Sequence, residues 1–244
     1  MERLVLVHGS VTGGSPTWGA QLPLAERFDL VVLDRPGFPP NPPVDRVDFE
    51  VDAELVAALL EPGNHLVGHS YGGVISLLAA AARPTLIRSL TVIEPPATSV
   101  APDDPAVAEF EAAGRALYAR GRTDDPEAFL RRFLAAVGST FTPPSPLPPD
   151  LEQGARALLV ERGPWEAAIP LETLRAAPFP KLVVSGAHDR AFDAICDVLA
   201  NELEAERVAL PGNGHSPQRH PNFNAHLVDF VERAQREDRV QAKA

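Results

Sequence analysis

The stretch "LVGHSYGGV", residues 66–74, places a serine between glycines directly after a short apolar run. Gly68, Ser70 and Gly72 fit the pattern G-x-S-x-G, with a strand candidate before them and the helical composition of residues 71–82 after them. A sharp, strained turn from strand to helix needs residues with very small side chains two positions before and after the serine, so that neighbouring backbone can approach closely. A plain glycine-rich turn is the alternative, but the flanking strand and helix favour a nucleophilic Ser70.

Six short runs rich in Val, Leu and Ile are the strand candidates. They are "RLVLVHG" (3–9), "FDLVVLDRPG" (28–37), "HLVGHS" (65–70), "SLTVIEPP" (89–96), "KLVVSGAHD" (181–189) and "ERVALPGNGH" (206–215). They lack polar alternation, which predicts strands buried on both faces. Helices are predicted between them, at about 17–27, 50–60, 71–82, 191–204 and 221–237. This alternation predicts an α/β fold with a mainly parallel sheet of about six strands, whose site lies at the carboxyl ends of the strands.

One segment departs from the alternation of strands and helices. Residues 97–178 contain helical patterns and no clear strand, and a proline-rich connector, "TPPSPLPPD" (142–150), interrupts them as a stiff spacer. Because this segment follows the fourth strand candidate, we expect a helical cap over the strand ends. The predicted core then consists of residues 1–96 and 179–244.

Composition limits the classes of partner. The 244 residues are 45% apolar and carry a formal charge of -11, which argues against nucleic acid or an anionic membrane as a partner. We find no apolar run long enough to span a bilayer, and the run after Met1 is too short for a signal peptide. Cys196, the single cysteine, is interpreted as a buried structural residue. A cytoplasmic protein is therefore expected.

A serine hydroxyl needs a base within hydrogen-bond reach. His215 is the candidate, because its glycine-rich loop follows the last strand candidate and so lies at the same sheet edge as Ser70. Two backbone N–H groups are candidates for an oxyanion hole, that of Tyr71 at the helix start and that of Ser10 in the loop after the first strand.

The carboxylate that would orient the imidazole has two candidates. Glu94 ends "TVIE", where the following Pro95 and Pro96 would hold it rigidly, and Asp189 ends "SGAHD" after the fifth strand candidate. Glu94 is preferred, because a fixed geometry suits the orienting role. Asp189 stays open, with a helix N-cap as its structural alternative.

Together these residues make the chain resemble the α/β-hydrolase superfamily. The resemblance covers nearly the whole chain and rests on "HGS" (8–10), "DRPG" (34–37), "GHSYGG" (68–73) and "GNGH" (212–215). It implies a Ser–acid–His triad and no metal or organic cofactor. Most members place the acid where Asp189 stands. A subset, including haloalkane dehalogenases and a fungal resorcylate lactonase, places it where Glu94 stands. The first strand candidate resembles the family's third strand, so we expect a sheet of six strands without the family's usual N-terminal hairpin.

The resemblance implies hydrolysis of a carboxylic ester or lactone of a small apolar substrate through an acyl-enzyme. Trp165 is a candidate for lining the substrate pocket, or for packing inside the cap. A C–C bond hydrolase, a cofactor-free haloperoxidase-like enzyme and a non-catalytic ligand-binding protein remain alternatives. A serine at position 70 argues against haloalkane dehalogenases and epoxide hydrolases, which carry Asp there. The sequence does not indicate an oligomeric state.

Overall fold

The computed structural model describes residues 1–121 and 125–241. These residues form a parallel sheet of six strands. The strands are β1 (Arg3–Val7), β2 (Asp29–Leu33), β3 (Asn64–His69), β4 (Ile87–Ile93), β5 (Lys181–Ser185) and β6 (Glu206–Ala209). Their order in the sheet is β2-β1-β3-β4-β5-β6, and every neighbouring pair is parallel. The predicted α/β-hydrolase fold with about six strands is confirmed.

Helices connect the strands and cover the sheet. They are α1 (Gly14–Trp18), α2 (Phe49–Leu59), α3 (Tyr71–Ala82), α4 (Pro105–Gly121), α5 (Pro126–Ala136), α6 (Pro149–Leu159), α7 (Leu171–Ala176), α8 (Arg190–Glu202) and α9 (Phe223–Gln241). The helix predicted at 17–27 is wrong as one element. The chain instead forms the short α1, which ends before Gly19, and a 3-10 helix at Leu22–Glu26 with Pro23 in its first turn.

Apolar side chains alternate between the two faces of the sheet. Val5 and Leu66 pack on the face covered by α2, α3 and α8, whereas Leu6 and Val67 pack on the face covered by α9. The central strands are buried on both faces, as expected. The two edge strands differ from that expectation: β2 is half-buried throughout and β6 exposes both of its ends, because an edge strand has a neighbour on one side only.

The segment between β4 and β5 contains α4 to α7, and no strand of the sheet lies in its described residues. Apolar residues of α4, α5 and α6 form a cluster that includes Tyr118, Phe129 and Leu158, and Val11 from the loop after β1 joins it. The division into a core (1–96 and 179–244) and a cap (97–178) remains a proposal. Residues 122–124 and 242–244 of those ranges lie outside the described residues.

Two further features bear on the expected location. No helix in the described part of the chain is long and apolar enough to cross a membrane. The Cys196 side chain is fully buried in α8, and this burial raises the pKa of its thiol. A buried, protonated thiol fits the structural interpretation of this cysteine.

Candidate active site

Ser70 stands at the junction of β3 and α3 with φ 55° and ψ -125°, a conformation that L residues rarely adopt. Holding a residue in such a backbone conformation costs on the order of 1–3 kcal/mol of folding free energy. The flanking glycines make the turn possible. A Cβ on Gly68 would collide with the backbone oxygen of Gly72, and one on Gly72 would collide with the backbone oxygen of His8. The predicted strained turn is therefore present.

The late histidine meets this serine. Nε2 of His215, in the loop after β6, lies 2.8 Å from Oγ of Ser70, and the imidazole is 6% exposed. Nδ1 of the same ring lies 2.9 Å from Oε2 of Glu94, which follows β4 at φ 49° and is fully buried. With Nδ1–H donating to the carboxylate, Nε2 is left to accept the proton of the serine hydroxyl. This is the geometry that general-base catalysis needs.

The other candidate acid lies elsewhere. The Asp189 carboxylate accepts hydrogen bonds from the backbone N–H groups of Ala191 (2.8 Å) and Phe192 (3.4 Å), so it caps the N-terminus of α8. Those N–H groups have no intrahelical partner, and they hold the carboxylate at the helix end. The structure thus brings Glu94, and not Asp189, to the imidazole of His215.

A second histidine contacts Glu94, and sequence reasoning missed it. Nε2 of His188 lies 2.7 Å from Oε2, the oxygen that also accepts from His215, and the Gly186 N–H donates to Oε1 at 2.5 Å. The argument that placed Asp189 at the sheet edge applies equally to His188, its neighbour in the chain. Burial raises the pKa of Glu94, but these three hydrogen bonds and the charge of His215 outweigh it and lower that pKa to about 2.

Acid unfolding should report on this buried carboxylate. A pKa lowered from 4.5 to about 2 means that ionised Glu94 stabilises the fold, by on the order of 3 kcal/mol. That contribution is present above the unfolded-state pKa and is lost as the pH falls through the folded-state value. Urea unfolding between about pH 5 and pH 2 should therefore show a weaker pH dependence for Glu94→Gln than for the unchanged chain. Equal slopes for the two proteins would contradict the prediction.

The two predicted oxyanion donors flank Ser70. The N–H of Tyr71 opens α3 and so lacks an intrahelical acceptor. The loop after β1 approaches the serine closely, since a Cβ on Gly9 would come 2.8 Å from Cβ of Ser70. Among the described residues we find no acceptor for the backbone N–H of Ser10. These contacts support the assignment of Ser10 and Tyr71, which remains a proposal.

Arg35 of the "DRPG" motif holds this loop in place. Its Nη1 donates to the backbone oxygen of Gly9 at 2.8 Å, and its backbone N–H donates to Nε2 of His8 at 3.0 Å. Asp52 balances its charge, with an oxygen 2.8 Å from Nε. All of these groups are buried, so the motif fixes the backbone that carries Ser10, the proposed oxyanion donor.

A cavity of about 130 Å³ opens at the serine. Its lining includes Ser10, Ser70, Tyr71, Phe110, Leu117, Tyr118, Phe133, Val137, Glu161, Trp165, Phe192 and His215. Trp165 both lines the cavity and packs edge-on against Tyr118, with ring centroids 5.2 Å apart. Its role in substrate binding stays a prediction. An open groove of about 530 Å³ meets the cavity at Ser70 and His215. A larger cavity of about 790 Å³ contains no member of the triad.

Three groups of the site could also hold a metal ion. Ligand atoms of Glu94, His188 and His215 lie within 4.8 Å of one another. In the structure two imidazole nitrogens share one carboxylate oxygen by hydrogen bonds. A metal ion bound to Nδ1 of His215 would leave the ring proton on Nε2, which could then no longer accept the proton of Ser70. The expectation of a metal-free reaction stays a prediction.

Known proteins are similar to this chain in sequence and in fold. The chain is 34% identical over 141 residues to a pimeloyl-[acyl-carrier protein] methyl ester esterase of Aeromonas hydrophila, covering 56% of this chain and 54% of that relative. It is 31% identical over 202 residues to the protein of that name from Methylococcus capsulatus, covering 77% and 76%. A thermophilic esterase structure from Thermogutta terrifontis superposes with a TM-score of 0.71 at 20% identity, covering 96% of this chain and 90% of that one.

A family model agrees with the fold and with these relatives. The model described as "Alpha/beta hydrolase family" matches residues 4–225. This range includes β2 to β6, all of β1 except its first residue, and every residue of the site. The chain belongs to the alpha/beta hydrolase family.

Proposed function

We propose that this chain is a serine hydrolase that cleaves carboxylic esters through an acyl-enzyme intermediate. The observation that carries the proposal is the continuous chain of hydrogen bonds from Ser70 through His215 to Glu94. His215 takes the serine proton while Oγ attacks the ester carbonyl carbon, and the imidazolium then gives this proton to the departing alcohol. Glu94 stabilises the imidazolium and fixes its orientation.

The negative charge on the attacked oxygen needs donors that are already in position. The backbone N–H groups of Ser10 and Tyr71 supply them in our proposal, and neither has to be moved for the reaction. A water molecule then attacks the acyl carbon while His215 takes its proton. The imidazolium returns this proton to Oγ of Ser70 as the bond between Oγ and the acyl carbon breaks and the acid is released. The chemistry requires no metal or organic cofactor.

The site supports a small substrate. A cavity of about 130 Å³ is close to the roughly 150 Å³ that holds a benzene molecule. Most of its walls are aliphatic or aromatic, so one part of the ester fits in the cavity and the other part faces the open groove. Relatives named as methyl ester esterases support ester cleavage, and lactones are included in the proposal. The buried Cys196 fits a reducing compartment, and we propose the cytoplasm.

The test is a turnover assay with two classes of substrate, esters and lactones. Methyl esters of short acids and simple lactones are incubated with the protein, and the acid released is titrated over many turnovers. Sustained release supports the hydrolase. Saturable binding without any release would show a ligand-binding protein and overturn the proposal.

Chain length should determine the rate. We place the acyl group in the closed cavity of about 130 Å³. On this placement kcat/KM for 4-nitrophenyl butanoate should exceed that for the decanoate by roughly tenfold or more, because a decanoyl chain is too long for the cavity and would hold the ester carbonyl away from Oγ of Ser70. Initial rates across the even-numbered series measure this. A rate that rises steadily to the decanoate would contradict placement of the acyl group in the small cavity.

A further inference from the structure

A carboxylate that the proposed mechanism does not use lies on the cavity wall. Glu161, just after α6, is 1% exposed and lines the same cavity as Ser70 and His215. Among the described residues that line the cavity, no other is Asp or Glu. Its other walls are mostly apolar, including Phe110, Leu117 and Trp165, and ionised carboxylates are rarely placed against such walls without a partner.

Protein partners satisfy this carboxylate only in part. Ser10 places its hydroxyl 2.8 Å from both oxygens, but it has a single proton to donate. The Tyr118 hydroxyl donates a hydrogen bond to Oε1 at 3.1 Å, whereas Nη2 of Arg35 lies 3.9 Å from Oε2. Arg35 already pairs closely with Asp52, so two buried carboxylates share one guanidinium.

The raised pKa of Glu161 also indicates that its protein partners stabilise the ionised carboxylate only in part. Burial raises the pKa of this carboxyl to about 7, although Arg35, Ser10 and Tyr118 lower it. The partners within the protein thus fail to replace the water that an ionised carboxylate loses on burial. A further donor inside the cavity would compensate for that loss.

We propose that Glu161 binds a hydrogen-bond donor, a hydroxyl or an ammonium group, on the ester that Ser70 attacks. This inference rests on the proposed function and narrows it: the substrate is a small ester whose apolar part carries one donor group. The apolar walls hold its carbon skeleton, and the carboxylate fixes its orientation relative to Oγ of Ser70. A substrate with a methyl group at that place leaves the Glu161 carboxylate uncompensated, so it should react more slowly.

The test compares esters that differ in one group. In the acyl set, methyl butanoates carry a hydroxyl, an ammonium or a methyl group at carbon 3. In the alcohol set, butanoate esters of 2-hydroxyethyl and 2-(dimethylamino)ethyl alcohols are compared with their propyl and 3-methylbutyl counterparts. For the unchanged chain we expect kcat/KM to favour a donor over its apolar counterpart by about tenfold or more in one set.

Variants at position 161 separate recognition from a structural role. Glu161→Leu should abolish the preference while apolar esters are still cleaved. Glu161→Gln should keep the preference for the hydroxyl, since its amide oxygen accepts, and should lose most of the preference for the ammonium. Tyr118→Phe removes a donor to Glu161 but leaves the carboxylate, so it should retain the preference.

Three results would overturn the inference. They are equal rates for donor and apolar esters in both sets, an unchanged preference in Glu161→Leu, and a uniform loss across all esters in both Glu161 variants. The last result would assign Glu161 to holding the Ser10 loop. The proposed function is judged separately, by cleavage of the apolar esters by the unchanged chain.

Discussion

Replacing Ser70 with alanine is expected to lower kcat/KM for the best ester by at least about 10⁴-fold, because the reaction then has no nucleophile. The remaining groups would still bind the ester, so a small residual rate over water is expected from the oxyanion donors alone. Steady-state assays with a purified variant measure the effect.

The same variant should fold normally. Alanine at φ 55° carries about the same backbone strain as serine, and the lost hydroxyl has His215 as its hydrogen-bond partner. The free energy of unfolding, measured in urea, should therefore change by no more than about 1 kcal/mol. A stable Ser70→Ala protein with a rate within tenfold of the original would exclude Ser70 as the nucleophile.

The second large effect distinguishes the two candidate acids. Glu94→Gln should lower kcat by roughly 10³- to 10⁴-fold, since an amide no longer stabilises the imidazolium of His215 and allows the wrong tautomer. Asp189→Ala should leave kcat within a few-fold. It should instead cost about 1 kcal/mol of stability, because it removes the N-cap of α8. Kinetics and unfolding of both variants are measured side by side.

These two variants serve as controls for each other. A collapse of activity in Asp189→Ala with little change in Glu94→Gln would mean that the sheet edge rearranges in solution and that the carboxylate assignment is wrong. A partial loss of activity in both variants would indicate that each substitution disturbs the loop after β5. In that loop His188 contacts Glu94 and directly precedes Asp189.

Much of the fold could be predicted because strong local patterns agree with the tertiary arrangement. The six apolar runs form the six strands, and the glycines around Ser70 appear where backbone crowding demands them. Predictions were wrong where position in the sheet or a single residue overrides composition. The edge strands are only half covered, and Gly19 and Pro23 divide one predicted helix into two short elements.

The site was predictable to the extent that it lies on the parallel sheet. Ser70, Glu94 and His215 all follow strands, so their convergence at one edge follows from topology. Sequence alone left Asp189 open, because an acid after a strand can equally cap the next helix. The role of Glu161 could not be predicted, because no sequence motif surrounds it. It lies between α6 and α7, and the packing of these helices over the sheet depends on tertiary contacts.

Labelling with a fluorophosphonate, followed by peptide mass spectrometry, tests the triad most directly. We predict one adduct per chain on the peptide that contains Ser70, loss of ester cleavage in proportion to labelling, and far slower labelling of a His215→Ala variant. Full activity after exhaustive exposure to the reagent, or an adduct on another residue that accounts for the loss, would contradict the account.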